Sequence, residues 1–142
     1  MIKEIILKWE ENKHKLKEYF ENTSQEEYDR YEDIVKKIFD IVLVDVEGDY
    51  GSYNFNSGNL TVLDHGDYQG TQIFIIPKDE YQPDVSDYII TDNYYGSCSG
   101  CDTLMSINDY TDGKPSPEQV NEYMTLALHL VQSMRWLGER DY

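Results

Sequence analysis

The period of the apolar residues changes twice along the chain, and this constrains the fold more than any other feature. In residues 2–21 and 28–39 apolar side chains recur mostly every three or four positions, which predicts two amphipathic helices. In residues 41–94 short segments rich in Tyr, Val, Ile and Thr lie between glycines, as in an antiparallel meander. A helical period returns after Ser116. This order of patterns predicts the α+β class.

The middle of the chain predicts a meander of four to five strands, which we place at 41–47, 50–56, 59–65, 71–77 and 87–94. Residues 41–44 fit either the end of the second helix or the start of the first strand, because short apolar runs do not distinguish the two. Residues 72–77 are the most apolar segment, so we expect the central strand there, ending at Pro77.

The last part of the chain opens with a strong helix start. Ser116 supplies a cap, Pro117 suits the first helical position and Gln119 closes a capping box. We expect this helix to end at Gly138 and to pack on the sheet. Its predicted buried residues are Val120, Tyr123, Met124, Ala127, Leu128, Val131, Met134 and Leu137. Residues 1–142 are expected to form a single domain around one core.

Acidic residues are concentrated in the middle of the chain. The protein carries a net charge of −16, and residues 41–113 contain thirteen Asp or Glu against one base, Lys78. A field of this sign repels phosphates and anionic lipid, so it disfavours direct nucleic-acid and membrane binding and favours a basic protein partner. An excess of carboxylates also serves solubility alone, and the sequence leaves both explanations open.

Composition and the chain start indicate a folded cytoplasmic protein. The hydrophobic content of 39% lies above the range of disordered chains. The first residues lack a basic region followed by an apolar stretch, and no run of about 18 apolar residues is present. Cys98 and Cys101 are too few for the disulfide framework of small secreted domains, so we expect reduced thiols.

Tyrosines accompany the acidic residues, and the whole sequence contains thirteen of them. Tyrosine interleaved with aspartate suits an interface in which rigid aromatic area is surrounded by charge that selects a basic partner. The alternative is that tyrosine fills strand faces. The predicted partner-binding residues are Asp45, Glu47, Asp49, Asp64, Asp67, Asp84, Asp87, Asp92, Tyr50, Tyr53, Tyr68, Tyr94 and Tyr95.

Residues 94–104 hold the densest group of chemically useful side chains, with Cys98 and Cys101 in C-x-x-C spacing. A thioredoxin-type redox site needs a βαβ frame, and only helix is predicted after this turn. A zinc site needs four ligands, and His65 is the one histidine predicted in a loop. Two chains of a homodimer would supply four cysteines. The candidate metal ligands are therefore Cys98, Cys101 and His65; no cofactor is expected, and zinc is the one cofactor that the sequence allows.

The same turn also has a purely structural explanation. Ser99 and Asp102 have capping-box spacing, Gly100 permits a tight turn, and buried cysteines behave as small apolar residues. Such a turn leaves backbone N–H groups at a helix start, which suits an anionic ligand group. The candidate ligand-binding residues are Ser97, Ser99, Gly100, Asp102 and Thr103.

Three segments of the second half carry a resemblance. They are Asp-Tyr-Gln-Gly-Thr at 67–71, Tyr-Gly-Ser-Cys-Ser-Gly-Cys-Asp-Thr-Leu at 95–104, and Glu-Gln-Val with Tyr-Met-Thr-Leu within 118–126. Together they resemble small proteins encoded by phages and prophages of Gram-positive bacteria. The resemblance implies no catalytic residue. It implies a context in which small acidic proteins often inhibit host defence, some by presenting carboxylates where a DNA-binding enzyme expects phosphates.

No Walker loop, G-x-S-x-G or H-E-x-x-H motif is present, so a catalytic role is not expected. The sequence-based hypothesis is a non-enzymatic binding protein whose acidic, tyrosine-rich middle occupies a basic surface, such as the nucleic-acid channel of a host nuclease or regulator. The alternative is a small-ligand or metal-binding protein centred on residues 97–103, with zinc or a nucleotide-type ligand; thiol redox chemistry at the same turn is a third hypothesis.

Overall fold

The computed structural model of the protein describes residues 2–66, 69–96, 102–108 and 113–138. Within these ranges it contains four α-helices and two antiparallel sheets, which confirms the predicted α+β class. The helices are α1 (Lys3–Asn22), α2 (Tyr31–Lys37), α3 (Thr103–Ile107) and α4 (Pro117–Gln132). The strands are β1 (Val46–Gly48), β2 (Gly51–Tyr53), β3 (Thr61–Gly66), β4 (Gly70–Pro77), β5 (Tyr88–Tyr95) and β6 (Arg135–Trp136).

The strands divide between a separate β1–β2 hairpin and a four-stranded sheet in the order β3-β4-β5-β6. β4 lies between β3 and β5, as predicted for residues 72–77. Phe74 of β4 and its partner Thr91 of β5 are fully buried. Thr91 Oγ1 donates to Leu130 O of α4 at 2.7 Å. The C-terminal helix therefore packs on the sheet, as expected.

An aromatic cluster joins the first helix to the last. Phe20 of α1 stacks on Tyr123 of α4 with ring centroids 5.2 Å apart. Tyr28, in the 3-10 turn Gln25–Tyr28, meets Phe20 edge-on at 4.9 Å and Tyr123 at 5.0 Å. All three side chains are fully buried. They belong to one continuous cluster of buried apolar residues that runs from α1 to the sheet.

The prediction of a strand at 41–47 is wrong for most of its length. Ile38–Val42 continues α2 as a π-helical turn, in which Leu43 N donates to Ile38 O at 3.0 Å. Asn12 of α1 reaches across and donates its Nδ2 to Val42 O at 2.9 Å. Burial of this turn against α1 decides between the two structures that the apolar run allowed.

Helix α4 also ends earlier than the predicted Gly138. Met134 is buried as expected, but Leu137 is 42% exposed. The chain turns after Gln132, and the next residues form β6, which pairs with β5. The fourth strand of the sheet was not predicted, because the spacing of Met134 and Leu137 fits a helix.

Candidate functional site

Two acidic loops meet at one end of the four-stranded sheet, around Lys78. Phe55, just after β2, pairs with Lys78 in an isolated antiparallel bridge. Asp79 N then donates to Asn54 O at 2.8 Å. These contacts fasten the chain that follows the β1–β2 hairpin to the first residues of the loop 78–87. The hairpin and the loop are consequently neighbours on the surface.

The hairpin holds its acidic residues on a fixed backbone. Asp45 has a φ of 50°, a conformation that few non-glycine residues adopt. Asn54 supports it, because Asp45 N donates to Asn54 Oδ1 at 2.9 Å and Asn54 Nδ2 donates to Asp45 Oδ1 at 3.1 Å. Gly51, with a φ of 110°, closes the turn that carries Asp49 and Tyr50. Tyr50 is fully exposed at this tip.

A carboxylate within the loop 78–87 stabilises the conformation of that loop by accepting a hydrogen bond from its backbone. Asp84 N donates to Asp87 Oδ2 at 3.0 Å, and Asp87 N donates to Asp84 O at 2.8 Å. A side-chain hydrogen bond with Asp87 raises the pKa of Glu80, and the same bond lowers the pKa of Asp87. Tyr81 is 91% exposed. The loop therefore combines crowded carboxyl groups with an aromatic ring that faces solvent.

Lys78 lies where the two loops join. Its Nζ is 3.6 Å from Asp87 Oδ1. The same ammonium lies over the ring of Tyr53, 4.1 Å from the centroid, and over that of Trp136, 5.1 Å from the centroid. A cavity of about 390 Å³ opens beside it, lined also by Glu4 of α1 and by hairpin residues. The cation is thus surrounded by aromatic faces and negative charge.

We call this surface the acidic end. Its carboxylates are Glu4, Asp45, Glu47, Asp49, Asp79, Glu80, Asp84 and Asp87, and its other members are Lys78, Tyr50, Tyr53, Tyr81 and Trp136. Seven of the residues predicted to bind a partner lie here: Asp45, Glu47, Asp49, Asp84, Asp87, Tyr50 and Tyr53.

Four other predicted partner-binding residues lie along the four-stranded sheet. Tyr95 OH donates to Asp64 Oδ1 at 2.6 Å, and Arg135 Nη2 lies 3.4 Å from Asp92 Oδ2. Tyr94 is exposed. Asp64, Asp92 and Tyr95 thus contact other side chains of the sheet and not those of the acidic end, so these four residues do not extend it.

Asp64 lies near the far end of the sheet. It pairs across the ladder with Gln72, which is five residues along β4 from Pro77. At about 3.4 Å per residue the separation is roughly 17 Å. The remaining two predicted partner-binding residues, Asp67 and Tyr68, lie outside the described residues.

Most of the cysteine turn also lies outside the described residues, namely Ser97, Cys98, Ser99, Gly100 and Cys101. Asp102, which follows it, is buried and is itself the N-cap of α3. Its Oδ2 accepts from Met105 N at 2.9 Å, and its Oδ1 accepts from Gly96 N and from Tyr31 OH, both at 2.9 Å. The expected role of Asp102 as the third helical residue after a Ser99 cap is therefore wrong.

The predicted ligand and metal residues that are described do not form a metal site. Thr103 is exposed at the start of α3, and His65 is exposed on the edge strand β3. In the described part of the chain, no three His, Cys, Asp or Glu side chains are grouped so that they would hold a metal ion. A cavity of about 230 Å³ adjoins Tyr31 and Asp102 and is lined also by Gln72 and Gly96.

Buried tyrosines predict a loss of stability in alkali. Burial raises the pKa of Tyr31 to about 12 and also raises the pKa values of Tyr28 and Tyr53. Since these values exceed the unfolded value of about 10, the stability they contribute is full below that pH and is lost as the pH rises through about 12. We expect tyrosinate absorbance to rise in two steps, the later one together with the loss of near-ultraviolet circular dichroism. In concentrated urea the titration should have one step; two steps there, or one step in buffer, would contradict this.

Six members of the acidic end are not among the predicted partner-binding residues: Glu4, Lys78, Asp79, Glu80, Tyr81 and Trp136. Glu4 belongs to a helix, and its position beside the hairpin depends on how α1 packs on β1. The helical spacing of the last part of the chain predicts helix at Trp136, whereas pairing with β5 makes it a strand residue. Tyr81 was not among the predicted partner-binding residues, although its place between prolines and aspartates in a loop was a usable signal.

The described helices include none that is both long and apolar enough to cross a bilayer.

Comparisons of the chain with protein-family models, curated proteins and solved structures gave no match.

Proposed function

We propose that the protein is a non-enzymatic binding protein whose acidic end occupies a basic, nucleic-acid-binding surface of another protein and thereby inhibits it. One observation carries the proposal. Of the thirteen acidic residues in 41–113, seven lie either at the β1–β2 hairpin or in the loop 78–87, which meet at Lys78. Glu4 adds an eighth carboxylate. The resemblance to phage-encoded proteins gives this proposal its context, the inhibition of a host defence protein.

The composition of the surface supports a protein partner rather than solubility alone. Tyr50 and Tyr81 are almost entirely exposed beside the carboxylates. Tyrosine supplies large rigid contact area at protein interfaces, and solubility gains nothing from exposing it. Charge then speeds association and selects basic partners, while the rings supply the apolar contact.

The backbone of the surface also supports binding. The Asp45–Asn54 hydrogen bonds, the bridge between Phe55 and Lys78 and the Asp84–Asp87 bonds hold both loops before any partner arrives. A preorganised surface loses little conformational entropy on association. This arrangement suits a surface that competes with a nucleic acid for a basic channel.

The test is a pair of variants with the same net charge. The first carries Glu47→Gln, Asp49→Asn and Asp79→Asn in the acidic end; the control carries Glu18→Gln, Glu21→Gln and Glu122→Gln, which are exposed helical residues. Basic nucleic-acid-binding proteins of the host are enriched on heparin, captured and identified, and their affinities are measured. We expect the first variant to bind roughly 30-fold more weakly, because three interface charges are lost.

Two further measurements separate inhibition from general attraction. Duplex DNA should compete with the protein for its partner, and binding should weaken steeply with salt. Equal losses in both variants would show that only total charge matters and would overturn the proposal. An affinity that does not change with salt concentration would also overturn the proposal. So would a partner that binds duplex DNA and this protein at the same time.

A further inference from the structure

The pocket around Lys78 has the features of a site for an organic cation. The Lys78 ammonium lies within 4.1 Å and 5.1 Å of the Tyr53 and Trp136 ring centroids. Cation–π attraction acts within about 6 Å of a ring centroid and strengthens where water is excluded. The Lys78 side chain is only 23% exposed, so this contact is partly desolvated.

The aromatic walls are held in place by each other. Phe55 stacks on Trp136 with centroids 5.9 Å apart and planes inclined by 25°, and it meets Tyr53 edge-on at 5.6 Å. Phe39 of the buried core meets Phe55 edge-on, with ring centroids 4.9 Å apart. The rings therefore do not depend on Lys78 for their positions.

Lys78 leaves part of the pocket unfilled. The adjoining cavity of about 390 Å³ is lined by Glu4, Glu47 and Asp49 as well as by Tyr53 and Trp136. That volume lies within the range of small-ligand sites, which is roughly 300–1,000 Å³. The open part thus offers an entering cation both an aromatic wall and carboxylates.

We propose that this pocket binds a lysine side chain of the partner and that Lys78 is its internal occupant, which the incoming lysine displaces. The inference rests on the proposed function, since it names the group that the acidic end recognises. A lysine fits because the pocket already holds an ammonium on a flexible four-carbon stem. Once displaced, the stem of Lys78 can move into solvent, and its ammonium remains close to the carboxylates of the loop 78–87.

The test uses a single lysine as the probe, N-acetyl-lysine methylamide, with N-acetyl-norleucine methylamide as its uncharged isostere. Binding is followed through the indole N–H resonance of Trp136, assigned by its disappearance in Trp136→Phe. Lys78→Ala removes the competitor and should bind the lysine probe about fivefold more tightly than the wild type. Lys114→Ala removes the same charge from an exposed loop and should leave the affinity unchanged.

Ring variants in the Lys78→Ala background identify the site. Tyr53→Leu should abolish the shift of the Trp136 resonance, and Tyr53→Phe should retain it. Lys78→Gln provides the same comparison if Lys78→Ala does not fold. Equal affinities in the Lys78 and Lys114 variants, or equal binding of the norleucine probe, would overturn the inference.

Failure of the pocket and failure of the proposed function give different results. If the lysine probe binds but the charge variants of the acidic end bind every captured protein equally, the pocket stands and the proposed function fails. If the captured partner still depends on the acidic end and Lys78→Ala does not change its affinity or that of the probe, the pocket fails and the proposed function stands.

Discussion

Replacing Phe20 with alanine is expected to lower the free energy of unfolding by about 3–5 kcal/mol, a large fraction of the roughly 5–15 kcal/mol that stabilises a typical domain. Phe20 is fully buried and stacks on Tyr123, which lies about a hundred residues further along the chain. Removing its ring leaves a cavity between α1 and α4 and takes away the edge contact with Tyr28. The loss therefore falls on the contact that joins the two ends of the fold.

Urea unfolding followed by far-ultraviolet circular dichroism measures this loss. Leu7→Ala is the matched control, because Leu7 lies on the same helix but is 58% exposed. It should change the free energy of unfolding by no more than about 0.5 kcal/mol. The loss of unfolding free energy in Phe20→Leu should lie between those of Phe20→Ala and Leu7→Ala, since leucine keeps most of the side-chain volume of phenylalanine. A Phe20→Ala protein as stable as the Leu7 variant would show that the two helices do not pack as described.

The helices were predictable because local chemistry and burial agree in them. In α4, Gln119 N donates to Ser116 Oγ at 3.2 Å and Ser116 N donates to Gln119 Oε1 at 2.7 Å, which is the predicted capping box. In α1, the buried residues include Ile5, Trp9, Leu16 and Phe20 of the predicted apolar stripe. Where pattern and packing point the same way, sequence alone is sufficient.

The errors fall where tertiary contacts decide between two local structures. Residues 41–44 fit a helix end or a strand, and their burial against α1 selects the helical turn. Arg135 and Trp136 continue a helical spacing, yet pairing with β5 makes them a strand. Neither contact leaves a trace in the local sequence, because the partner residues lie more than 20 positions away.

The candidate site was predictable as a composition but not as a surface. The ratio of thirteen acidic residues to one base identified the segment that carries the charge. It did not reveal that the bridge between Phe55 and Lys78 brings the hairpin to the loop 78–87, or that Asp64 lies at the far end of the sheet. The same count made Lys78 conspicuous, although one of its two aromatic neighbours, Trp136, lies on the unpredicted strand β6.

The buried network around Asp102 leads to the second large effect. Asp102→Ala is expected to lower the free energy of unfolding by about 3–5 kcal/mol, since it removes the partner of three donors, one of them only part-buried, at roughly 1–1.5 kcal/mol each. Those donors are Gly96 N, Tyr31 OH and Met105 N. The Tyr31 hydroxyl in turn accepts from Leu104 N at 3.1 Å, so the network fixes the start of α3 from two directions.

A double-mutant cycle separates this network from simple capping. Tyr31→Phe keeps the buried ring and removes the hydroxyl, and it should cost about 1–3 kcal/mol by itself. The double variant Tyr31→Phe/Asp102→Ala should lose less free energy of unfolding than the sum of the losses in the two single variants. The difference, which is the coupling energy, should be at least about 0.5 kcal/mol, because both changes break the same hydrogen bond. Thr103→Ala, at the exposed neighbouring position, is the control and should change stability by no more than about 0.5 kcal/mol. Strict additivity would mean that Asp102 acts only as the cap of α3 and that Tyr31 is held by its ring alone.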